Sequence, residues 1–533
     1  MADRPWLKHY PAGVPSSLEY PAVPVQRLLK DAARDFPTRI CLRLNDSRMT
    51  FGEVEALTTI IAGQLVHLGI KPGERVGLFL PNIPEFVLAF FAILKAGAVA
   101  AAFNPLYKPA EFSMQSRDAG VGLVITDANG YDMLRTIRGE AGIKNLIVVD
   151  DPPFDPLVLE GGDLTFSTLR IGNNFILPDV SPDDPAIYQY SGGTTGTPKG
   201  VIALHRNLVA NALQFRAWLW NCKRGEEVLL AAIPLYHVYG MVLAMCLGMA
   251  LGATMELVPN PRDMAAFLAA IQRSKPTIFP AVPGLLGLLA NLPPETPALS
   301  ELKSLKAVIS GAAPLPSGVR QRFEQLTGVT ISEGFGLSEA PTATHCNPVG
   351  GLNKPGSVGL PLPDVDARIV SLEDEPTTLN HGEAGELVIR APQVMQGYLN
   401  LSEETRLALR DGWLYTGDIA VMDEDGYFTL VDRKKDLIKS GGLQVWPREV
   451  EDVLLQNPAV ADAGVAGMPD ELHGETIKAW LVLKPGSKLT EAEVRAWCKK
   501  LLAPFKIPKK VVFVDKLPRS GVGKLLRRDL KKL

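Results

Sequence analysis

The chain has 533 residues, 46% of them hydrophobic, and its 55 Lys and Arg residues nearly balance 58 Asp and Glu residues, for a formal net charge of −3 at pH 7. This length exceeds the size at which a single hydrophobic core stops growing, so several domains or subdomains are expected. Because the chain has no global basic field, nucleic acid is excluded as a default partner.

The N-terminal stretch and the cysteines both indicate a cytoplasmic protein. The stretch MADRPWLKHYPAGVP contains an acid and three prolines and no apolar core, so it does not fit a secretory signal. The five cysteines are scattered and form no CxxC pair, which argues against a disulfide framework and against a zinc site. They are Cys41, Cys222, Cys246, Cys346 and Cys498.

Short runs rich in Val, Ile and Leu alternate with helical patterns over the first two thirds of the chain. In order, the runs are RVGLFLP, GLVITD, NLIVVD, AIYQYS, EVLLAAIP, ATMELVP, TIFPAVP, AVISGA and TISEGFG. Continuous apolar strands of this kind are typical of a mostly parallel sheet that is covered on both faces. Helical stretches such as PEFVLAFFAILKAGA lie between them, so the pattern predicts an α/β architecture with more than one sheet.

One apolar stretch is long enough to resemble a membrane span. Residues 228–255 contain no Asp, Glu, Lys or Arg. Pro234, His237 and Gly240 interrupt the first half, which is more typical of a buried strand that runs into a loop and then an apolar helix. We therefore predict no transmembrane segment, while peripheral contact with a membrane stays open.

The sequence texture changes twice in the last third of the chain. From about residue 356, the stretches GSVGLPLPDVDARIVS, GEAGELVIRAP and GWLYTGDIAVMDEDGYFTLVDR alternate in polarity and contain DG or HG turns, which predicts a small antiparallel sheet or barrel. New helical and strand patterns follow the charged run DRKKD at 432–436. We therefore predict an N-terminal domain over 1–434 and a smaller α+β domain over 435–533.

The stretch YSGGTTGTPKG, residues 190–200, combines glycines, hydroxyls and a lysine directly after the predicted strand AIYQY. Glycines permit close backbone approach, and backbone N–H and hydroxyl groups can face an enclosed anion. A Walker A loop is excluded because Pro198 precedes Lys199 and Gly200 follows it. By composition alone, a phosphate site and a mobile surface turn both stay open. Its position at the carboxyl end of a strand favours the phosphate site.

Seven stretches in a fixed order resemble the adenylate-forming superfamily, and within it the AMP-forming acyl-CoA synthetases. They are YSGGTTGTPKG, PLYHVYG, SGAAPLP, EGFGLSEA, YTGD, DRKKDLIKSGG and PRSGVGK, and the resemblance runs from RMTFGEVE near residue 50 to the end of the chain. It implies two packed flavodoxin-like α/β subdomains with a small β-barrel and a mobile C-terminal domain. It also implies ligation of a carboxylic acid to coenzyme A through acyl-AMP, with ATP and Mg²⁺.

The same resemblance assigns the nucleotide site. The glycine loop would hold the phosphates of ATP, Phe335 would lie against adenine, Ser338 would lie near the α-phosphate, and Glu339 together with Thr195 would bind Mg²⁺. A carboxylate in YTGD and a guanidinium in DRKKD would contact the ribose hydroxyls. The complete predicted ATP and AMP set is Ser191, Gly192, Gly193, Thr194, Thr195, Gly196, Thr197, Lys199, Gly311, Ala312, Glu333, Gly334, Phe335, Gly336, Ser338, Asp418, Arg433 and Lys524.

Two lysines and a histidine receive roles in turnover from the resemblance. Lys524 would bridge the substrate carboxylate and the α-phosphate, and His237 would position that carboxylate. Lys435 would be the hinge about which the small domain rotates, so that a glycine-containing loop faces the site in the second half-reaction. The predicted catalytic residues are Lys524, His237, Thr195 and Glu339, and those for coenzyme A are Lys439, Gly441 and Gly442.

The class of carboxylic acid that serves as substrate is predicted from a further resemblance. The stretch LVPNPRDMAAFLAAIQRSKPTIFPAVPGLLGLLANLP and NPLY at 104–107 resemble bacterial long-chain fatty acyl-CoA ligases. This implies an apolar channel for a fatty acid, near Val238, Tyr239, Met241 and Gly284. The same residues would accept 4-coumarate or another aryl acid. Transfer to a carrier protein, a non-catalytic acyl or nucleotide sensor, and a homodimer also stay open.

Overall fold

The computed structural model describes residues 4–150, 159, 161–172, 175–191, 198–440, 443–470, 474–519 and 525–533. Within these ranges the chain forms two large, mostly parallel sheets, a five-stranded antiparallel sheet and a C-terminal five-stranded mixed sheet. Helices and sheets form a large N-terminal part and a smaller C-terminal part, and this architecture confirms the predicted α/β fold class.

The large N-terminal part carries most of the regular structure. Its helices are α1 (Gln26–Asp35), α2 (Phe51–His67), α3 (Pro84–Lys95), α4 (Pro109–Ala119), α5 (Ala128–Thr136), α6 (Arg138–Ala141), α7 (His205–Trp218), α8 (Val238–Gly240), α9 (Leu247–Leu251), α10 (Met264–Ser274), α11 (Pro283–Ala290), α12 (Pro297–Glu301), α13 (Ser317–Thr327) and α14 (Ser402–Ala408). Its strands are β1 (Ile40–Leu44), β2 (Ser47–Thr50), β3 (Arg75–Phe79), β4 (Val99–Ala102), β5 (Leu123–Thr126), β6 (Asn145–Val148), β7 (Leu164–Thr165), β8 (Pro185–Ser191), β9 (Lys199–Leu204), β10 (Val228–Ala231), β11 (Thr254–Leu257), β12 (Ile278–Ala281), β13 (Ala307–Ser310), β14 (Ile331–Leu337), β15 (Ala340–Cys346), β16 (Leu360–Pro361), β17 (Asp366–Val370), β18 (Gly385–Arg390), β19 (Gly397–Tyr398), β20 (Leu409–Arg410), β21 (Trp413–Met422) and β22 (Phe428–Arg433).

The smaller C-terminal part contains helices α15 (Pro447–Leu455), α16 (Glu491–Leu501) and α17 (Arg527–Leu530) and strands β23 (Ile438–Ser440), β24 (Leu443–Val445), β25 (Val460–Asp470), β26 (Gly474–Leu483) and β27 (Lys510–Phe513). Short 3₁₀ turns span Pro5–His9, Phe166–Arg170, Leu302–Ser304, Lys434–Asp436 and Pro504–Lys506.

The two large sheets are mostly parallel, as the apolar runs predict. The first has the order β7-β6-β5-β3-β4-β8-β9-β19 and is parallel from β7 to β8. The second has the order β2-β1-β11-β10-β12-β13-β14-β15-β16 and is parallel from β1 to β14. Helix α3 contacts strands of both sheets, and every one of its residues is buried. A helix this apolar on all sides has to lie inside a core, and α3 fills the seam between the sheets.

The helical part of the apolar stretch 228–255 packs against α1, α7 and β15. Strand β10 runs into a loop, and a continuous helical stretch follows from α8 through a π-helical segment, Met241–Cys246, to α9. This agrees with the predicted strand, loop and apolar helix. Within the ranges that the structure describes, no helix combines the length and the apolar character needed to cross a membrane.

The predicted small antiparallel sheet or barrel is the sheet β17-β18-β21-β20, with β22 paired to β21. The hydrophobic core of the large part reaches Phe428, and a separate core of the C-terminal sheet begins at Ile438. The chain therefore changes cores around the 3₁₀ turn Lys434–Asp436. The boundary between residues 434 and 435 stays a prediction.

Candidate active site

Tyr398 brings two predicted site residues together at the edge of the first sheet. Its hydroxyl donates a hydrogen bond of 2.9 Å to Oε1 of Glu339, which lies in the turn between β14 and β15. The Nζ atom of Lys199, on β9, lies 5.1 Å from the centroid of the Tyr398 ring. Burial, and then the Glu339 carboxylate, raise the pKa of the Tyr398 hydroxyl, so it remains a donor at neutral pH.

The sequence prediction missed Tyr398. It reaches Glu339 because β19 pairs antiparallel with β9, which sets Tyr398 opposite Val201. Its backbone N–H also donates to the hydroxyl of Thr405, at 2.8 Å. No spacing rule links residues 339 and 398, so only the sheet pairing could have revealed the contact.

Lys199 forms an ion pair with an acid from α14. Its Nζ lies 2.6 Å from Oε2 of Glu404, and the two side chains are 28% and 44% exposed. A pair this exposed contributes little to stability, because water and salt screen it. The cation predicted to meet phosphate is therefore held by a carboxylate that an incoming anion can replace.

Asp418 and Arg433, the two predicted ribose contacts, face each other on β21 and β22. They are directly opposite in register, and Nε of Arg433 lies 3.0 Å from Oδ1 of Asp418. The Asp418 carboxylate raises the pKa of the guanidinium. The second oxygen, Oδ2, is buried and has no hydrogen-bond partner within the described residues. A buried acceptor without a partner is costly, so this oxygen fits a ligand hydroxyl.

A cavity of 260 Å³ adjoins this pair. It is lined by Thr416, Gly417, Arg433, Lys434 and Lys435. Burial, and then the neighbouring guanidinium, lower the pKa of Lys435. The predicted hinge residue therefore lies beside the predicted ribose contacts, in the turn where the chain changes cores.

The stretch EGFGLSEA contains the end of β14, which agrees with the predicted strand TISEGFG, and the turn into β15. Glu333, Gly334, Phe335 and Gly336 belong to β14, and Ser338 lies half-buried in the turn that follows. A Cβ on Gly336 would come within 1.6 Å of the carbonyl oxygen of Thr342, so only glycine lets the two strands approach this closely.

Two other side chains of β14, those of Glu333 and Phe335, make contacts inside the protein. The Glu333 carboxylate accepts from Nη2 of Arg320 at 2.7 Å and from the backbone N–H of Gly356 at 3.3 Å, which holds it inside the protein. The half-buried Phe335 ring packs on His345, with ring centroids 6.0 Å apart. Burial lowers the pKa of His345 to about 3, so the ring on which Phe335 packs is neutral.

Tyr239 joins the predicted adenine wall to the predicted acyl pocket. Its hydroxyl donates to the carbonyl oxygens of Ala281 at 3.1 Å and Ile309 at 3.0 Å, at the ends of β12 and β13. A Cβ on Gly311 would lie 3.2 Å from the Tyr239 ring. The next residue, Ala312, is exposed and has a φ of +69°, so the chain turns sharply at this point.

His237 stands at the N-terminus of α8. Its Nδ1 accepts a hydrogen bond of 3.2 Å from the backbone N–H of Tyr239, which places the proton of the neutral ring on Nε2. Val238 and Met241 are fully buried, whereas Gly284 is exposed and a Cβ on it would meet nothing within 4 Å. The grouping of these residues as an acyl pocket stays a prediction.

Several predicted site residues lie outside the described residues. They are Gly192, Gly193, Thr194, Thr195, Gly196, Thr197, Gly441, Gly442 and Lys524. For Ser191 and Lys439 the structure describes the backbone alone.

Comparison with protein families agrees with this geometry. The family model of the AMP-binding enzymes matches residues 29–399, and the model of the AMP-binding enzyme C-terminal domain matches residues 449–524. A long-chain-fatty-acid–CoA ligase of Bacillus subtilis (strain 168) is 39% identical, covering 99% of this chain and 98% of that protein. The 4-coumarate–CoA ligase 2 of Nicotiana tabacum is 36% identical, covering 93% of this chain and 92% of that protein.

Solved structures share the whole fold. The anthranilate CoA ligase AuaEII in complex with anthranoyl-AMP is 29% identical and superposes with a TM-score of 0.84, covering 97% of this chain and 98% of that chain. The ATP-bound MatB from Rhodopseudomonas palustris is 27% identical and also superposes with a TM-score of 0.84, covering 96% of this chain and 99% of that chain.

Proposed function

This chain belongs to the AMP-binding enzyme family, and on that premise we propose that it is an AMP-forming ligase that joins medium- to long-chain fatty acids to coenzyme A. The observation that carries the fatty acid is the similarity, over nearly the full length of both chains, to a long-chain-fatty-acid–CoA ligase. The buried Oδ2 of Asp418, which lacks a partner among the described residues, supports the nucleotide part of the proposal.

In the proposed first half-reaction, a carboxylate oxygen of the fatty acid attacks the α-phosphorus of ATP. The bond from that phosphorus to pyrophosphate breaks, and acyl-AMP forms. His237 orients the carboxylate, Lys524 bridges it to the α-phosphate, and Lys199 with the glycine loop stabilises the departing pyrophosphate. Glu339, held by Tyr398, would bind Mg²⁺ with Thr195, and that ion would neutralise charge on the phosphate oxygens.

In the proposed second half-reaction, the thiol of coenzyme A attacks the acyl carbonyl carbon. A C–S bond forms, the C–O bond to AMP breaks, and the thiol loses its proton. Rotation of residues 435–533 about Lys435 removes Lys524 and presents Lys439, Gly441 and Gly442. The position of Lys435 in the turn where the chain changes cores supports a hinge there.

An aryl acid is the second candidate substrate, because the tobacco 4-coumarate–CoA ligase 2 is nearly as similar to this chain. Transfer of the acyl group to a carrier protein and a sensor without catalysis remain further alternatives. A cytoplasmic location, peripheral membrane contact and a homodimer stay predictions.

The proposed function is tested by AMP release from Mg·ATP with acetate, octanoate, palmitate, oleate or 4-coumarate, each with and without coenzyme A. We expect AMP release with octanoate, palmitate or oleate only when coenzyme A is present, together with the matching acyl-CoA. Turnover of 4-coumarate alone would contradict the fatty acid and keep the ligase chemistry. Acyl-AMP formation without any thioester would favour a carrier-protein acceptor. If none of the acids supports AMP release or pyrophosphate exchange, the result would favour the non-catalytic sensor.

The Lys199–Glu404 pair leads to a second prediction. Because nucleotide phosphate must displace Glu404 from Lys199, Glu404→Gln is expected to lower KM for ATP by about two- to fivefold, the size of an exposed ion pair. The KM for the acid should stay constant. Steady-state kinetics at 0.05 and 0.3 M salt measure the effect, which should shrink as salt screens the pair.

The matched control is Glu403→Gln, the neighbouring acid on α14, which pairs with Arg406 instead. An equal fall in KM for ATP in both variants would assign the effect to net charge and contradict the specific exchange at Lys199.

A further inference from the structure

A buried asparagine ties the first sheet to the loop that carries His237. Asn82 lies between the end of β3 and the start of α3, and it is 4% exposed. Its Nδ2 donates to the carbonyl oxygens of Ala231 at 3.0 Å and Ile233 at 2.8 Å. Its Oδ1 accepts from the backbone N–H of Leu235 at 2.8 Å. Both donors and the acceptor of one side chain are thus used on a single loop of the second sheet.

That loop connects β10 to α8 and lies outside the β-ladder. The carbonyl oxygen of Ala231 is shared with the backbone N–H of Val258, whereas Ile233 and Leu235 lie beyond the end of the strand. A buried backbone group that loses its partner costs on the order of 1–3 kcal/mol. Asn82 therefore fixes the path of the chain two residues before His237.

Hydrogen bonds within this loop and from Tyr239 also fix the backbone and the imidazole ring of His237. The backbone N–H of His237 donates to the carbonyl oxygen of Pro234 at 3.2 Å, and Pro234 lies between Ile233 and Leu235, both bonded by Asn82. The ring is fixed in turn by the N–H of Tyr239 on its Nδ1. The direction of Nε2 thus depends on a loop whose course is set from the opposite sheet.

We propose that Asn82 is a positioning residue for His237, and through it for the carboxylate of the bound acid; this rests on the proposed function. The side chain has to be an amide. Aspartate would turn a carboxylate oxygen toward two carbonyl oxygens, and leucine or alanine would satisfy none of the three backbone groups. Asn82 does not touch the reacting atoms and acts only by holding the loop.

The first test is a double-mutant cycle of Asn82→Ala and His237→Ala. Asn82→Ala alone should lower kcat/KM for palmitate about tenfold, because small displacements of an orienting group cost up to a hundredfold. In the His237→Ala background the same change should add less than about twofold, since the group that Asn82 positions is already gone. If the two effects multiply in full, Asn82 acts on the fold and the proposal is overturned.

Asn207→Ala is the matched control. Asn207 is 1% exposed and also bonds two backbone groups, accepting from the N–H of Leu204 at 2.8 Å and donating to the oxygen of Pro392 at 2.9 Å. Its effect on kcat/KM should be the same with and without His237. The proposal would be contradicted if Asn82→Ala showed no stronger coupling to His237→Ala than Asn207→Ala does, while both Asn variants lowered Tm to a similar extent.

A second readout does not depend on turnover, so a wrong proposed function and a wrong role for Asn82 can be told apart. The chain has 7 His residues, and the ring signal of His237 in a ¹³C-histidine-labelled protein is assigned by its loss in His237→Ala. Asn82→Ala should shift or broaden that signal, and Asn207→Ala should leave it in place. An unmoved His237 signal in Asn82→Ala would overturn the positioning role whether or not palmitate is turned over.

Discussion

Glu339→Gln is expected to lower kcat/KM for Mg·ATP by about 100-fold or more, the size seen when one preorganised electrostatic contact to the reacting groups is removed. A neutral amide oxygen is a weaker ligand for Mg²⁺ than a carboxylate oxygen, and the Tyr398 hydroxyl can still bond it, so the shape of the turn is kept. The initial rate should also require a higher Mg²⁺ concentration. Rates measured over a Mg²⁺ titration at fixed ATP give both quantities.

Two variants bracket this result. Tyr398→Phe removes only the hydrogen bond that orients Glu339, so it should lower kcat/KM by about tenfold or less, in line with one lost hydrogen bond. Glu373→Gln changes an exposed acid and should have no effect. If Glu339→Gln keeps the Mg²⁺ dependence of the unaltered protein, Glu339 does not bind the ion.

The sheets could be predicted because their strands are local, continuous apolar runs. RVGLFLP contains Arg75–Phe79, and NLIVVD contains Asn145–Val148, as the sequence indicates. TISEGFG was likewise predicted as a strand and forms β14, but its antiparallel pairing with β15 was not predicted. At Gly336 the small residue serves close strand approach rather than loop mobility.

The contacts that organise the site could not be predicted, because they join residues far apart in the chain. Asn82 and Leu235, and likewise Glu339 and Tyr398, meet only once strands from the two sheets are placed. Glu404 meets Lys199 because α14 packs against β19, which pairs with β9. Motif spacing identifies groups that could touch a ligand, and packing identifies the groups that hold them.

Asp418→Asn is expected to lower kcat/KM for ATP by about 100-fold, the upper size of a lost hydrogen bond to a charged acceptor. The asparagine can keep an acceptor for Arg433, but its NH₂ group replaces the buried Oδ2 that has no partner among the described residues. A donor at that place cannot accept from a ribose hydroxyl. Because the NH₂ group also lacks a partner there and the ion pair with Arg433 is lost, the variant should unfold at a Tm below that of the unaltered protein.

The ribose contact itself is tested by comparing ATP with 2′-deoxy-ATP and 3′-deoxy-ATP. A site built to bond a hydroxyl discriminates strongly against the analogue that lacks it, so the unaltered protein should prefer ATP over at least one of the two. Asp418→Asn should lose most of that preference, since the acceptor is gone, whereas Asp374→Asn, at an exposed acid, should keep it. Equal discrimination in Asp418→Asn and the unaltered protein would show that Oδ2 does not meet the ribose. The buried carboxylate would then serve only to hold Arg433 in place.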